Sequence, residues 1–295
     1  MSHVLTLIGN TSTELTQDHV DAVAGAIAGA GAPDWLNPGH ACDLHLDTGA
    51  PAALETARSA LNGATLDIVC QPTAHRRKKL LVADMDSTII EQECIDELAD
   101  ALGIRDAISD ITERAMRGEL EFEPALRERV GLLKGLAETE LQRVYETQIT
   151  ETPGGRVLCA TMRKHGGTCA LVSGGFTFFT ERVAKSVGFT SNQANTLLVE
   201  NGALTGEVSD PILGREAKVS ALKNLTAELK IDPRDTMAVG DGANDLGMIG
   251  EAGLGVAFRA KPVVAAAAPA QINHGDLSAL LYIQGYRSDE IANPA

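Results

Sequence analysis

Four apolar residues, Leu80-Leu81-Val82-Ala83, run straight into Asp84-Met85-Asp86-Ser87-Thr88, two carboxylates one residue apart followed by two hydroxyls. A short continuous apolar run marks a strand buried on both faces, and alternation along it starts Asp84 and Asp86 on one side with Met85 opposite. Like charges that close repel unless a cation sits between them or one keeps its proton. Two more candidate strand ends carry polar groups: Thr168 to Val172 leads into Ser173-Gly174-Gly175, and Thr236 to Gly240 into Asp241-Gly242-Ala243-Asn244-Asp245. Lys218 stands near the start of a helical stretch between them. Singly, each has an ordinary structural role open to it: an Asx-type turn at Asp84, a helix N-cap at Ser173, a tight turn at Asp241-Gly242, a solvated helix position for Lys218. Open α/β sheets bind ligands at the carboxyl ends of their strands, where all three acidic or hydroxyl groups fall.

The elements that must position these groups alternate. Beyond residue 150 the pattern predicts a helix over 154–164, the strand at Thr168, a helix over 177–187, a hairpin between Asn195 and Asp210 turning at Glu200-Asn201-Gly202, a helix over 215–230 and the strand at Thr236. Leu254 to Phe258, Ala270 to Asn273 and a helix over 277–284 follow. Strands alternating with such helices predict a doubly wound parallel sheet covered on both faces, an α/β fold. Residues 92–150 break the alternation with four helices, marked by Ile95, Leu98 and Leu102; by Ile108, Ile111 and Ala115, ending at Gly118; by Leu126, Val130 and Leu133; and by Leu141, Val144 and Tyr145 behind Thr139 as N-cap. A helical bundle inserted after a strand end carrying acids reads as a cap that excludes water. Residues 1–75 read as a separate small α+β unit of ferredoxin type, with strands at Val4–Ile8, Ala41–Leu46 and Ala64–Cys70, helices over 16–30 and Pro51–Leu61, and Gly/Pro joints at Ala30–Pro33 and Asn37–Gly39. The division is therefore 1–75, a core of 76–91 with 151–295, and a cap of 92–150. The first unit is expected to be dispensable for chemistry.

A formal charge of −15 argues against a nucleic-acid partner. The basic run His75-Arg76-Arg77-Lys78-Lys79 reads as a solvated linker in preference to a docking patch. Five scattered cysteines without C-x-x-C spacing suit a reducing, cytoplasmic setting. No apolar run approaches a membrane span. A homodimer is an open expectation.

In order and spacing, the four motifs resemble those of the haloacid dehalogenase superfamily of phosphotransferases. Asp84 to Thr88 with Glu93, Glu119-Leu120-Glu121-Phe122 followed by Arg129, Val172 to Phe176, and Val239 to Asp245 are similar to the phosphoserine phosphatases within it. The resemblance covers about 80–285 and implies hydrolysis of O-phosphoserine, the last step of serine biosynthesis. A phosphate monoester needs a nucleophile, charge neutralisation and a proton for the leaving alkoxide. By resemblance Asp84 is the nucleophile, forming an aspartyl-phosphate, and Asp86 the general acid and then base. Mg2+ is implied on Asp84, the Asp86 backbone carbonyl and Asp241, with Asp245 bracing its waters or Lys218. Ser173, the Gly174 N–H and Lys218 would hold phosphoryl oxygens, with Asn244 also at the substrate. Arg129 falls in the Leu126, Val130 and Leu133 sector of its helix, where a guanidinium needs an anion. A substrate carboxylate fits it, with Glu93 for the α-ammonium and Met116 and Phe122 as an apolar wall. The alternatives are an internal Arg129–Glu93 or Arg129–Glu119 salt bridge and, for the chemistry, phosphoryl transfer to an alcohol such as homoserine.

Overall fold

The computed structural model describes residues 2–47, 50–116 and 119–294. Its N-terminal unit runs β1 (His3–Ile8), α1 (Gln17–Ala26), β2 (Asp34–Asn37), β3 (Ala41–Leu46), α2 (Ala50–Ala60), β4 (Asp67–Pro72). The strands pair antiparallel in the order β2-β3-β1-β4, the ferredoxin-like arrangement expected. β2 was not foreseen, because its four residues lie between the two Gly/Pro joints and are too few to show alternation. The strand expected from Ala64 begins instead at Asp67, and the helix expected to reach residue 30 stops at Ala26. Leu5, Leu7, Val20, Val23 and Ala57 form the unit's own core. Ile8, Leu36, Ala41 and Val69 belong to the main core instead.

The basic run corrects the linker reading. Arg76 grips Asp43 with both ends of its fork, at 2.6 and 2.8 Å, and also donates to Thr6 Oγ1 and to the carbonyls of Tyr282 and Ile283. Arg77 pairs with Glu290 at 2.8 Å, and both His75 and Lys79 reach Asp235 at 2.7 Å. Lys78 is buried, which pushes its pKa down to about 8, and donates to the Arg234 carbonyl. Arg76 is thus a clasp between Asp43 of the N-terminal unit and the chain at Tyr282 and Ile283, while its neighbours anchor the approach to β5. Their partners are far away in sequence, so nothing local announced them.

β5 (Leu80–Ala83) starts the core, and its four residues are fully buried. Leu81 and Ala83 face one apolar cluster, Leu80 and Val82 another, as alternation requires of a strand covered on both sides. The cap follows: α3 (Cys94–Leu102), α4 (Arg105–Met116), α5 (Phe122–Gly131) and α6 (Glu138–Gln148). Gly118, where the second cap helix was expected to end, lies outside the described residues. Leu102 is exposed and takes no part in the core. Ala137, not Thr139, is the N-cap of α6. The Glu138 N–H is satisfied instead by the Gly202 carbonyl at 2.9 Å.

After the cap come α7 (Gly155–Lys164), β6 (Thr168–Phe176), α8 (Thr177–Val187), β7 (Ser191–Asn195), the hairpin β8 (Leu197–Glu200) and β9 (Ala203–Val208), α9 (Arg215–Glu228), β10 (Thr236–Gly240), α10 (Leu246–Glu251), β11 (Leu254–Phe258), α11 (Pro262–Ala267), β12 (Ala270–Ile272) and α12 (Ala279–Ile283). The hairpin turns on Asn201 and Gly202, both at positive φ as a primed turn demands. The main sheet is parallel, in the order β12-β11-β10-β5-β6-β7. β5 is flanked by β10 and β6, so Asp84 and Asp241, each just past its strand, neighbour Ser173, which lies inside β6: that strand runs on to Phe176 through a register shift instead of ending at Val172 as the sequence pattern has it. That adjacency builds the site.

Candidate active site

Asp84 stands at the end of β5, its N–H on the Val239 carbonyl of β10 at 3.0 Å. The chain then turns sharply, with Ser87 at φ 53°, and Thr88 donates to Asp241 Oδ1 at 3.5 Å. Lys218, 1% exposed, reaches from α9 to Asp84 Oδ2 at 2.6 Å and Asp245 Oδ1 at 2.7 Å. Burial works against its charge, but Asp84 and Asp245 together keep it protonated, above the ordinary lysine range. Asp245 also accepts from the Gly242 N–H at 3.1 Å, which fixes the loop after β10. Asp84, Asp241 and Asp245 bring carboxylate oxygens within 4.8 Å of one another.

Asp86 points elsewhere. Its Oδ1 accepts from the Cys94 N–H at 2.9 Å, the first helical residue of α3, and its Oδ2 from Ser173 Oγ at 3.2 Å. Ser173 Oγ accepts in turn from the Gly175 N–H at 2.8 Å, so it is not a helix cap. A Cβ at Gly175 would lie 2.7 Å from Asp86 Oδ2, so only glycine lets β6 pass this close. Burial, then Glu93 and Asp84, push the Asp86 carboxyl up to about 7. Burial, then Asp84 and Glu93, push Asp241 up to about 6. The pocket holds more negative charge than its own cations balance.

The cap supplies the other wall. Glu93 accepts from Ser87 Oγ at 2.7 Å, and burial is the main cause raising its pKa. Phe122, at the start of α5, lies against Gly174 and Gly214. Arg129, half-buried on the same helix, makes only long contacts, 3.3 Å to the Ala125 carbonyl and 3.5 Å to Thr112 Oγ1. Neither suggested internal salt bridge forms, and among the described residues no carboxylate pairs with Arg129. Burial lowers its pKa from the ordinary value, while Glu93, Asp96 and Asp86 pull the other way.

Of the residues expected at the site, Asp84, Asp86, Glu93, Phe122, Arg129, Ser173, Gly174, Asp241 and Asn244 line one cavity of about 520 Å³. Lys218 and Asp245 lie behind its wall, and the Met116 side chain lies outside the described residues. Ser87, Thr112, Leu126 and Lys261 were missed. Lys261 carried a signal of its own, since it follows β11 at the same edge of the sheet as the other motifs. Ser87 stands in the first motif, six residues before the Glu93 it touches, whereas Thr112 reaches Arg129 through a contact that its sequence neighbours do not mark.

A parallel sheet with adjacent acidic strand ends, a buried lysine and a helical cap defines a class, and residues 81–249 match the model of the haloacid dehalogenase-like hydrolases. The chain belongs to the haloacid dehalogenase-like hydrolase family. It is 45% identical over 217 residues to a phosphoserine phosphatase of Archaeoglobus fulgidus, covering 73% of this chain and 63% of that protein. It is 41% identical over 239 residues to one of Streptomyces coelicolor, covering 81% and 58%. The matched region thus spans about three fifths of those relatives. The crystal structure of a probable phosphoserine phosphatase from Vibrio cholerae superimposes with a TM-score of 0.77 at 32% identity, covering 98% of this chain and 88% of that one. Among the described residues no helix is long and apolar enough to cross a membrane.

Proposed function

We propose that the chain hydrolyses O-phospho-L-serine to L-serine and phosphate, the closing step of serine biosynthesis. The observation that carries the reading is Arg129, a half-buried guanidinium at the cavity wall without a carboxylate partner among the described residues. A substrate carboxylate completes its fork, Glu93 faces the α-ammonium, and Phe122 supports the carbon skeleton. The names of the relatives agree with this substrate.

In the reaction Asp84 attacks phosphorus, forming an acyl phosphate as the bond to the seryl oxygen breaks. Asp86, its carboxyl pushed up to about 7 first by burial, gives a proton to the departing seryl oxygen. It then takes one from the water that attacks the acyl phosphate, returning Asp84 and releasing phosphate. Ser173 and the Gly174 N–H hold phosphoryl oxygens, and Lys218 orients the Asp84 carboxylate it touches.

The residues fit a hard divalent cation: Asp84, Asp241 and Asp245 cluster their carboxylate oxygens, and burial, then Asp84 and Glu93, push Asp241 upward. We assign Mg2+ to Asp84, Asp241 and the Asp86 carbonyl, with Asp245 committed to Lys218 and bracing from behind. When bound, it neutralises the carboxylates against the incoming phosphate. The five free thiols suit a reducing, cytoplasmic setting.

A panel of phosphorylated small molecules, assayed for phosphate release with and without homoserine, tests the reading. Phosphoserine should be the best substrate, and the acceptor should not divert phosphate. Preference for an ester without a carboxylate would overturn it.

A further inference from the structure

The cavity poses an electrostatic problem for any anionic substrate, and the inference drawn from it rests on the function proposed above. The chain carries a formal charge of −15, and Asp84, Asp86, Glu93 and Asp241 all line the cavity. Lys218 gives no help at the entrance, being buried and engaged with Asp84 and Asp245. Arg129 and Lys261 are the cations among the lining residues, and Arg129 is half-buried on the cap helix α5.

Lys261 is placed differently. It is exposed, follows β11, and donates its backbone N–H to the Asp241 carbonyl at 3.1 Å, which ties its loop to the one carrying Asp241. Pro262 opens α11 directly after it and fixes the backbone there. Its charge favours the anions of both Asp241 on the core and Glu93 at the cap. Yet among the described residues its ammonium makes no ion pair. A compact charge on a flexible four-carbon stem suits a mobile attractor better than a fixed fork. Clefts with low-dielectric walls focus the field of such a charge on an approaching ion.

We propose that Lys261 is the electrostatic guide of this site, an exposed ammonium on the cavity lining that draws the phosphate ester past the surrounding carboxylates. It touches no reacting atom. Its effect lies on capture of substrate, not on the chemical step.

The test uses the full chain with Lys261→Gln, Lys261→Glu and Lys261→Arg, assayed for hydrolysis of phosphoserine and p-nitrophenyl phosphate from about 20 mM to about 500 mM KCl. Lys261→Gln should lower kcat/KM about tenfold at the lowest salt and Lys261→Glu about a hundredfold, both deficits shrinking as salt rises, with kcat within about twofold of the parent. Lys261→Arg should restore the parent's salt dependence. Unchanged kcat/KM at low salt would overturn the proposal. So would a loss that falls on kcat and is equal at all salt concentrations. A merely structural lysine would move the melting temperature and leave the salt dependence alone. The two esters separate the failures: a parent enzyme that turns over p-nitrophenyl phosphate but not phosphoserine defeats the substrate reading, and the salt dependence with that ester still judges Lys261.

Discussion

Replacing Arg129 with alanine should raise KM for phosphoserine while leaving the chemistry largely intact. Losing one partner of a desolvated, hydrogen-bonded charge pair costs about 2–5 kcal/mol. Arg129 is half-buried, so water screens part of the interaction, and its present contacts to Ala125 and Thr112 are too long to hold it strongly. Both facts put the expected loss near the lower end, ~2–3 kcal/mol, or ~30–150-fold in KM. The mutant cavity would also leave the substrate carboxylate facing Glu93 with no cation from α5 between them. The assay compares kcat/KM for phosphoserine and phosphoethanolamine, which lacks the carboxylate, in the parent and Arg129→Ala. Phosphoethanolamine should be a poor substrate for the parent and nearly indifferent to the mutation. Equal losses for both esters would show that Arg129 supports the cap and does not read the carboxylate.

Rapid quench with labelled phosphoserine should find label on Asp84 and none on Asp86; Asp84→Asn should trap no acyl phosphate and show almost no turnover. EDTA should abolish phosphate release and added Mg2+ restore it, and Asp241→Ala should be inactive with an unchanged circular-dichroism spectrum. Full activity in a verified metal-free preparation would remove the cation from the reading. Arg76→Ala leaves Asp43, 1% exposed, without its fork, and should destabilise the fold by about 3–5 kcal/mol in urea titration, with Arg76→Lys intermediate; an unchanged midpoint would show that the clasp is ornamental. Glu290 is held down to about 2, mainly by its hydrogen bonds to Arg77. A depressed carboxyl contributes stability in full above its unfolded pKa of about 4.3 and loses it as pH falls towards 2. Melting curves of Glu290→Gln and the parent should therefore differ at pH 6 and converge near pH 2, by no more than about 1 kcal/mol at this part-exposed pair.

How much of this was legible depended on where each signal lay. Asp84, Asp86, Ser173 and Asp241 were readable because an apolar run that stops abruptly at polar groups sets them at or near a strand end, where open α/β sheets bind ligands. The order of the strands then made them neighbours. β2 and β7 were not readable, since short or half-exposed edge strands carry little alternation. α10 and α11 have six residues each, too few to show a helical period. Thr139 followed the usual rule for a cap, but a carbonyl from the hairpin had already satisfied the helix end. The basic run misled for a deeper reason. Charge in a sequence names no partner, and Asp43, Asp235 and Glu290 become partners only in three dimensions. The N-terminal unit is tied to the later chain by Arg76 as well as by apolar packing, and removing residues 1–75 would uncover apolar groups that Ile8, Leu36 and Val69 now cover.

The clasp also bears on how the chain is made. Translation releases β1 to β4 and Arg76 early, so the Arg76–Asp43 pair can form at once. The Ile283 carbonyl that completes it lies 207 residues further along. Asn37 likewise waits for the Tyr282 hydroxyl, Gln71 for the Ile283 carbonyl, and Asp67 for the N–H groups of Asn273 and Gly275. At about 5–20 residues per second, the apolar back of the first sheet stands open to solvent for ~10–40 s of synthesis. In that interval it is a target for chaperones and for other nascent chains. Damage to the late segment around α12 would make that exposure permanent while leaving every catalytic carboxylate in place.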